Sequence, residues 1–326
     1  MADAGTQSRS LKRTFLLAVA ASAALTLLTA ALGPLLAGVP HLPDRGSAWY
    51  FWKLPAATFW SRFTSWGLYG LHQASVWVLV ALSMREKAHA GRLSRINVAF
   101  LLTNLLFILL HLLQTHLWYD GLAQDVPIWS SQFSVIVMLV IMLFTLNPRR
   151  GLFLGIKVPY SESGLRFVNR WHGLYISWAL VYTFWFHPME GSIGLLWGFF
   201  YMFLLLTQLS LANTRIHFAL PWVTLLEFLV GIHGPVIAIQ NGYPSWPMFA
   251  AGFLFMTAFT QQFGFKLPKW GRVLVFAAYA AGVGVMYGFR GYGRLYEVLF
   301  IPVALYGGAL ALSLVTRLVP KGRAAA

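Results

Sequence analysis

The chain has 326 residues, of which 58% are hydrophobic and only 10% are charged, and its mean hydropathy is +0.66. Soluble domains carry about 25% charged residues, so this composition indicates a multi-pass membrane protein. The absence of cysteine excludes iron–sulfur clusters, c-type haem attachment, thiolate catalysis and disulfides. The net charge of +15 is spread over short loops without a basic patch, so we expect no nucleic-acid partner.

Ten apolar segments are long enough, or nearly so, to cross a hydrocarbon core about 30 Å thick. They predict an all-α, polytopic membrane helix bundle of about ten transmembrane helices. We expect one transmembrane domain over residues 14–318, flanked by cytoplasmic tails at 1–13 and 319–326. The expected spans are Thr14–Gly38, Trp66–Met84, Ile96–Trp118, Phe133–Asn147, Trp171–His187, Ile193–Leu211, His217–Gln240, Met248–Phe263, Val273–Phe289 and Leu295–Leu318.

The distribution of Lys and Arg predicts the orientation of these spans. With a cytoplasmic N-terminus, only five of the 24 basic residues fall on the outer side, namely Arg45, Lys53, Arg62, Arg290 and Arg294. Basic loops are retained on the cytoplasmic side, so both termini are expected in the cytoplasm. We therefore expect an integral protein of a prokaryotic cytoplasmic (inner) membrane, with the lipid bilayer as its main partner.

Seven of the nine histidines fall inside or at the ends of the apolar segments, and five of these seven are expected on the outer side of this membrane. An imidazole costs free energy to bury in hydrocarbon unless it is paired, so histidines at membrane depth indicate a functional site. Three of the five lie on separate spans, six or seven residues from the outer end, at a common depth of about 10 Å. Such a set can converge on a metal or haem in a bundle core. The candidate ligands of iron, copper, zinc or haem b are His72, His111, His233, His116 and His187.

Two carboxylates lie beside the rim histidines and are candidate catalytic residues. Asp120 follows His116 by four residues and Glu190 follows His187 by three, so each pair can share a helix face if the helix continues that far. An imidazole next to a carboxylate can bind a metal or serve as a general base. The alternative is that these histidines bond a neighbouring helix or belong to an interfacial belt.

Glu227 is a third candidate catalytic residue. It lies near the expected bilayer centre, six residues before His233, where an ionised carboxylate is costly unless it is paired. The sequence is compatible with a proton relay through Glu227 and equally with a neutral carboxyl group that links two helices.

Three functional classes fit these residues, besides an assembly or accessory role. The first is a membrane metalloprotein, an oxidoreductase or a lipid- or quinone-modifying enzyme. The second is a secondary transporter with Glu227 and His233 as its coupling pair. The third is a two-haem electron carrier in which His172 and His217 bind cofactor with His187 and His233. The third has a weakness, because its paired histidines are 15 and 16 residues apart and would point about 60° and 160° apart around a helix.

The expected topology can be tested by cysteine labelling. Single cysteines at Ser130 and Asn241 should react with an impermeant thiol reagent added to intact cells, because both positions fall in predicted outer loops. A cysteine at Gly155 should not react, because it falls in a basic loop that is retained inside. Labelling of the Gly155 variant in intact cells would contradict the orientation.

Overall fold

A computed structural model describes residues 2–43, 53–86, 93–265 and 267–318, and of residues 2–12, 220, 221 and 224 it describes only the backbone. Arg45 and the expected tail at 319–326 lie outside the described residues. Within the described part, the secondary structure is helical throughout, apart from one isolated bridge between Phe153 and Ile156. The expected all-helical fold is therefore present.

Each of the ten predicted segments overlaps one α-helix. Within the described residues, six helical stretches are long and apolar enough to cross a membrane, and they contain α1, α3, α4, α6, α9 and α10. Helix α1 begins at Ala2, so most of the predicted N-terminal tail is helical. The helices are α1 Ala2–Leu32, α2 Phe59–Ser83, α3 Arg95–Trp118, α4 Ile128–Arg150, α5 Glu162–Phe186, α6 Ile193–Ser210, α7 Leu220–Gln240, α8 Trp246–Phe259, α9 Lys269–Arg290 and α10 Phe300–Thr316.

The chain divides into two compact units. Unit 1 comprises Met1–Val135 and Gly173–Leu229, and unit 2 comprises Ile136–His172 and Val230–Ala326. The boundaries fall inside α4, α5 and α7. Most of the histidine and carboxylate candidates belong to unit 1, so this unit carries the main candidate site.

Helix α3 is polar on its buried face and apolar on its exposed face. Asn97, Asn104 and His111 are buried and seven residues apart, a spacing that returns to nearly the same side of a helix. The opposite face carries exposed leucines, with Leu102 at 61% and Leu113 at 53% exposure. Leucine on the outside and amides inside is the arrangement expected of a helix whose surroundings are lipid.

The two ends of α3 are fixed by local sequence. At the start, Ser94 forms a capping box with Asn97, in which each side chain accepts a hydrogen bond from the other's backbone N–H. At the end, Tyr119 adopts a left-handed conformation with φ 40°. The helix therefore stops at Trp118, and the chain turns sharply into the loop that carries Asp120.

The end of α1 meets the loop after α5 through two glycines. A Cβ atom on Gly33 would lie 2.9 Å from the Cα of Gly191, and one on Gly191 would lie 3.1 Å from the Cα of Gly33. Only glycine allows backbones to approach this closely. This contact brings the 3₁₀ turn Gly33–Leu36 against Glu190 and Ser192.

Unit 2 has its own apolar core and its own buried ion pair. Leu143, Met256 and Leu305 belong to one cluster of buried side chains. The Arg290 guanidinium donates to both oxygens of Glu297, at 2.6 and 2.8 Å, and both side chains are less than 10% exposed. This bidentate pair fixes the turn between α9 and α10.

Candidate functional site

A buried hydrogen-bond network joins α2, α3 and α5 in unit 1. The Trp185 indole N–H donates to Nδ1 of His72 at 3.1 Å, so Nδ1 must be the acceptor nitrogen of that ring. His72 then carries its proton on Nε2 and donates it to Oδ1 of Asn104 at 2.9 Å. Both imidazole nitrogens are engaged, which leaves His72 no lone pair for a metal in this arrangement.

The same network continues from Asn104 towards the start of α3. The Asn104 amide donates to Oγ of Ser210 at 2.8 Å. The Asn97 amide donates to the carbonyl oxygens of Ser210 and Ala212 at 2.8 and 2.9 Å. Polar side chains on α3 therefore contact α6 at two successive levels, and we call this end of unit 1 the Asn97 end.

His111 lies about two turns after Asn104 on α3 and has no comparable partners among the described residues. Its ring stacks on the Trp185 indole, with centroids 4.2 Å apart and an interplanar angle of 11°. The imidazole is fully buried, and neither nitrogen meets a well-aligned hydrogen-bond partner within the described residues, although the His187 backbone lies nearby. Gln114, one turn further, is also fully buried, and its amide also lacks partners in the described part. Buried polar atoms of this kind require water, an ion or a ligand.

Beyond α3, a phenol and a carboxylate face each other. The Tyr119 hydroxyl donates to Oε2 of Glu190 at 2.5 Å, and both residues are buried. Burial and the nearby Glu190 carboxylate raise the pKa of Tyr119, so the phenol keeps its proton and acts as donor. The His41 ring packs against Tyr119 with centroids 5.1 Å apart. We call this end of unit 1 the Glu190 end.

A groove of about 380 Å³ opens beside this pair. Its polar side is formed by His41, Glu190 and Ser192, whose Oγ atom is buried without a partner in the described residues. Its apolar side comes from the end of α1 and the residues that follow, including Pro34 and Val39. The groove therefore presents a carboxylate next to small apolar side chains.

An ion-pair cluster closes the loop after α3. Arg62 on α2 forms ion pairs with Asp120, at 2.7 Å, and with Asp125. Burial raises the pKa of Asp120, although Arg62 opposes that shift. Burial also acts on Asp125, but hydrogen bonds from Arg62 and Trp66 outweigh it and lower the pKa of that carboxyl group. Arg62 is therefore held by two acidic side chains, and it fixes the loop to the start of α2.

The rim histidines are not placed on a helix face with their carboxylates. Helix α3 ends before Asp120, and α5 ends at Phe186, just before His187 and Pro188. In the first pair the chain turns at Tyr119, which has a left-handed conformation. In the second pair it turns at His187, because the residue before a proline disfavours the helical conformation. His116 instead faces two carbonyl oxygens, of Leu112 at 2.8 Å and of Leu32 at 3.3 Å.

The remaining candidates lie elsewhere in the two units. Glu227 is partly buried in unit 1 and interacts electrostatically with Tyr201. His217 precedes α7, where its Nδ1 faces the Gln208 carbonyl oxygen. His172 and His233 belong to unit 2, and Nδ1 of His172 faces the Asn169 carbonyl oxygen.

Of the predicted metal ligands, His72 and His111 are brought together, since both rings contact Trp185. Within the ranges that the structure describes, no group of three or more His, Asp or Glu side chains is arranged to hold a metal ion. The metal assignments therefore stay predictions.

Several residues of this site were not identified from the sequence, notably Asn104, Gln114, Tyr119 and Trp185. The seven-residue spacing of Asn97, Asn104 and His111 was the available signal, because it places three polar groups on one side of an otherwise apolar helix. Tyr119 and Trp185 gave no such signal, since aromatic residues are common throughout this chain.

No protein-family model matches the chain, and neither the curated proteins nor the solved structures contain a match. The proposals below therefore depend on the geometry alone.

Removal of the Asn104 amide should destabilise unit 1. In Asn104→Ala, Nε2 of His72 and Oγ of Ser210 lose a partner inside the bundle, at an expected cost of about 1–3 kcal/mol in unfolding free energy. Asn169→Ala is the matched control, because Asn169 is exposed, and its effect should stay within about 0.5 kcal/mol. Thermal unfolding in detergent measures the stability of both variants. Equal stability of Asn104→Ala and wild type would contradict the conclusion that this network stabilises unit 1.

Proposed function

We propose that this chain is a proton-handling membrane protein of the secondary-transporter class, in which protons move along the polar face of α3. The observation that carries this proposal is the fully buried, stacked His111. Its nitrogens and the Gln114 amide lack well-aligned hydrogen-bond partners among the described residues, although the His187 backbone lies near the imidazole. We infer that water and a mobile proton satisfy these atoms.

The length of the polar face supports a pathway between the two membrane surfaces. From Asn97 to Tyr119 there are 22 residue steps, or about 33 Å at 1.5 Å per residue. The hydrocarbon core is about 30 Å thick. Polar groups in contact with α3 therefore extend over a distance sufficient to connect the Asn97 end to the Glu190 end.

One contact of His111, the face of Trp185, favours the protonated form of the ring. Imidazole changes charge closer to neutral pH than any other side chain. Trp185 presents its face to the ring at 4.2 Å, and an indole face attracts a cation. The indole therefore partly offsets the cost of charging His111 inside the bundle, while the His72 network holds the indole in place.

The proposal also specifies the number of membrane spans and their orientation. We propose ten membrane spans with both termini in the cytoplasm of a prokaryotic cell, so that the Glu190 end faces the outside. The concentration of Lys and Arg in the opposite loops supports this orientation. Glu227, in unit 1, remains a proposed coupling residue, through which solute movement would depend on the proton.

Proton movement can be measured in vesicles loaded with the pH indicator pyranine. A potassium gradient with valinomycin should drive faster proton uptake in vesicles containing the protein than in protein-free vesicles. His111→Phe keeps an aromatic ring on Trp185 but cannot carry a proton, so uptake should fall to the protein-free rate. Glu227→Gln should also slow uptake if that carboxyl group belongs to the pathway.

His172→Phe is the control for this experiment. His172 lies in unit 2 and is partly exposed, so its replacement should leave uptake at the wild-type rate. Wild-type uptake no faster than protein-free vesicles, or unchanged uptake in His111→Phe, would overturn the pathway.

A metal- or haem-dependent oxidoreductase acting on a lipid or quinone is the second candidate. The observation that favours it is again His111, because an imidazole without a well-aligned hydrogen-bond partner among the described residues is available as a metal ligand. His72 fits such a role poorly, since both of its nitrogens are engaged by Trp185 and Asn104. Such a centre would therefore use His111 with ligands other than His72.

Elemental analysis and an absorption spectrum of the purified protein separate the two candidates. If the oxidoreductase assignment is right, iron, copper or zinc should be present in stoichiometric amount, or a Soret band should appear, and His111→Ala should lower the occupancy. His172→Ala should then leave it unchanged if a single centre is bound. Absence of metal and of a Soret band from protein purified without chelators would contradict this candidate.

A further inference from the structure

The groove at the Glu190 end contains an acidic group whose surroundings are largely uncharged. Glu190 is only 9% exposed and accepts one hydrogen bond from the Tyr119 hydroxyl. Within the described residues, no Lys or Arg forms an ion pair with it, whereas Asp120, Asp125 and Glu297 are all paired with arginine. A buried carboxylate is costly without a cation.

The nearest titratable neighbours do not supply a permanent positive charge. Partial burial lowers the pKa of His41, and the attraction to Glu190 only partly opposes that shift, so His41 is largely neutral at pH 7. The phenol of Tyr119 is neutral as well, because its pKa is raised by burial and by Glu190. Among the residues that the structure describes, the partners of this carboxylate in the groove are therefore neutral.

The shape of the groove limits the ligand. Its volume of about 380 Å³ falls within the range of small-molecule sites. One wall is apolar, with Pro34, Leu36 and Val39, while Ser192 beside Glu190 adds a buried hydroxyl oxygen without a partner in the described part. This combination suits an ammonium group that carries an alkyl substituent.

We propose that the groove between the end of α1 and the 190–192 loop binds an alkylammonium group, with the Glu190 carboxylate as counter-ion and the Ser192 hydroxyl as a further acceptor. Two sources offer this chemistry, an amine-bearing lipid headgroup and a soluble amine. The site does not depend on the proton pathway, because a ligand can bind at Glu190 whether or not protons reach His111.

Binding can be measured with octylamine, which is protonated at pH 7 because alkylamines have pKa values near that of lysine. Octylammonium should bind purified wild-type protein and raise its unfolding temperature, whereas octanol at the same concentration should bind at least about tenfold more weakly, since charge-assisted hydrogen bonds contribute about 1.5–3 kcal/mol. Equal binding of the two probes to wild type would overturn the proposal without recourse to a variant.

Substitutions then test whether Glu190 binds the ammonium group. Glu190→Gln should weaken octylammonium binding at least about tenfold, whereas Glu162→Gln, a control at a largely exposed carboxylate, should not change it. Tyr119→Phe keeps the carboxylate and should retain binding, so it tests the groove even if Glu190→Gln does not fold. Unchanged affinity in Glu190→Gln, or loss of binding in Glu162→Gln, would contradict the assignment.

Reconstitution into lipid nanodiscs distinguishes an amine-bearing lipid headgroup from a soluble amine. Selective retention of phosphatidylethanolamine over phosphatidylcholine by wild type, lost in Glu190→Gln, would assign the site to a lipid headgroup. Binding of ethanolamine from solution in phosphatidylcholine nanodiscs would assign it to a soluble amine. If neither is observed with wild-type protein, the groove is not an ammonium site.

Discussion

The structure of unit 1 depends on one constraint, namely that polar side chains buried between apolar helices must find partners. Helix α3 carries amides and an imidazole on its inner face and leucines on its outer face. In lipid, an apolar face gains little by packing against another helix. Hydrogen bonds donated by Asn97 and Asn104 to α6, and by His72 on α2 to Asn104, therefore specify which helices are neighbours and in which register.

The same constraint separates the two histidines that contact Trp185. His72 has a donor at one nitrogen and an acceptor at the other, so its protonation state is fixed by its neighbours. His111 lies against the face of the same indole without such partners among the described residues. An imidazole with a hydrogen-bond partner at each nitrogen stabilises the fold. An imidazole without such partners is available for a proton, a solute or a metal. The proposed function therefore depends on His111, whereas His72 accepts the Trp185 hydrogen bond and holds that indole.

The sequence predicted the helices well because long apolar segments can be recognised from length and hydropathy. All ten predicted segments overlap a helix, although α4 and α5 are longer than expected, since polar residues at their ends still form helical turns. The division into two units, with boundaries inside α4, α5 and α7, was not predicted. The division into units depends on side-chain contacts between segments that are far apart in the sequence, and hydropathy gives no information about such contacts.

The sequence grouped the candidate residues by their expected depth in the membrane, but it did not reveal their hydrogen-bond partners. This difference has a physical origin. A residue's depth follows from its distance to a helix end, and on that basis His72, His111 and His233 were grouped. The rings of His72 and His111 both contact Trp185, whereas His233 belongs to unit 2. Hydrogen-bond partners depend on rotation of each helix about its axis and on sharp turns such as Tyr119, with φ 40°. That turn directs Tyr119 to Glu190 on a different loop, whereas sequence proximity suggested pairing Glu190 with His187. Carboxylates at helix ends are therefore better assigned from the direction in which the chain leaves the helix than from their distance to the nearest histidine.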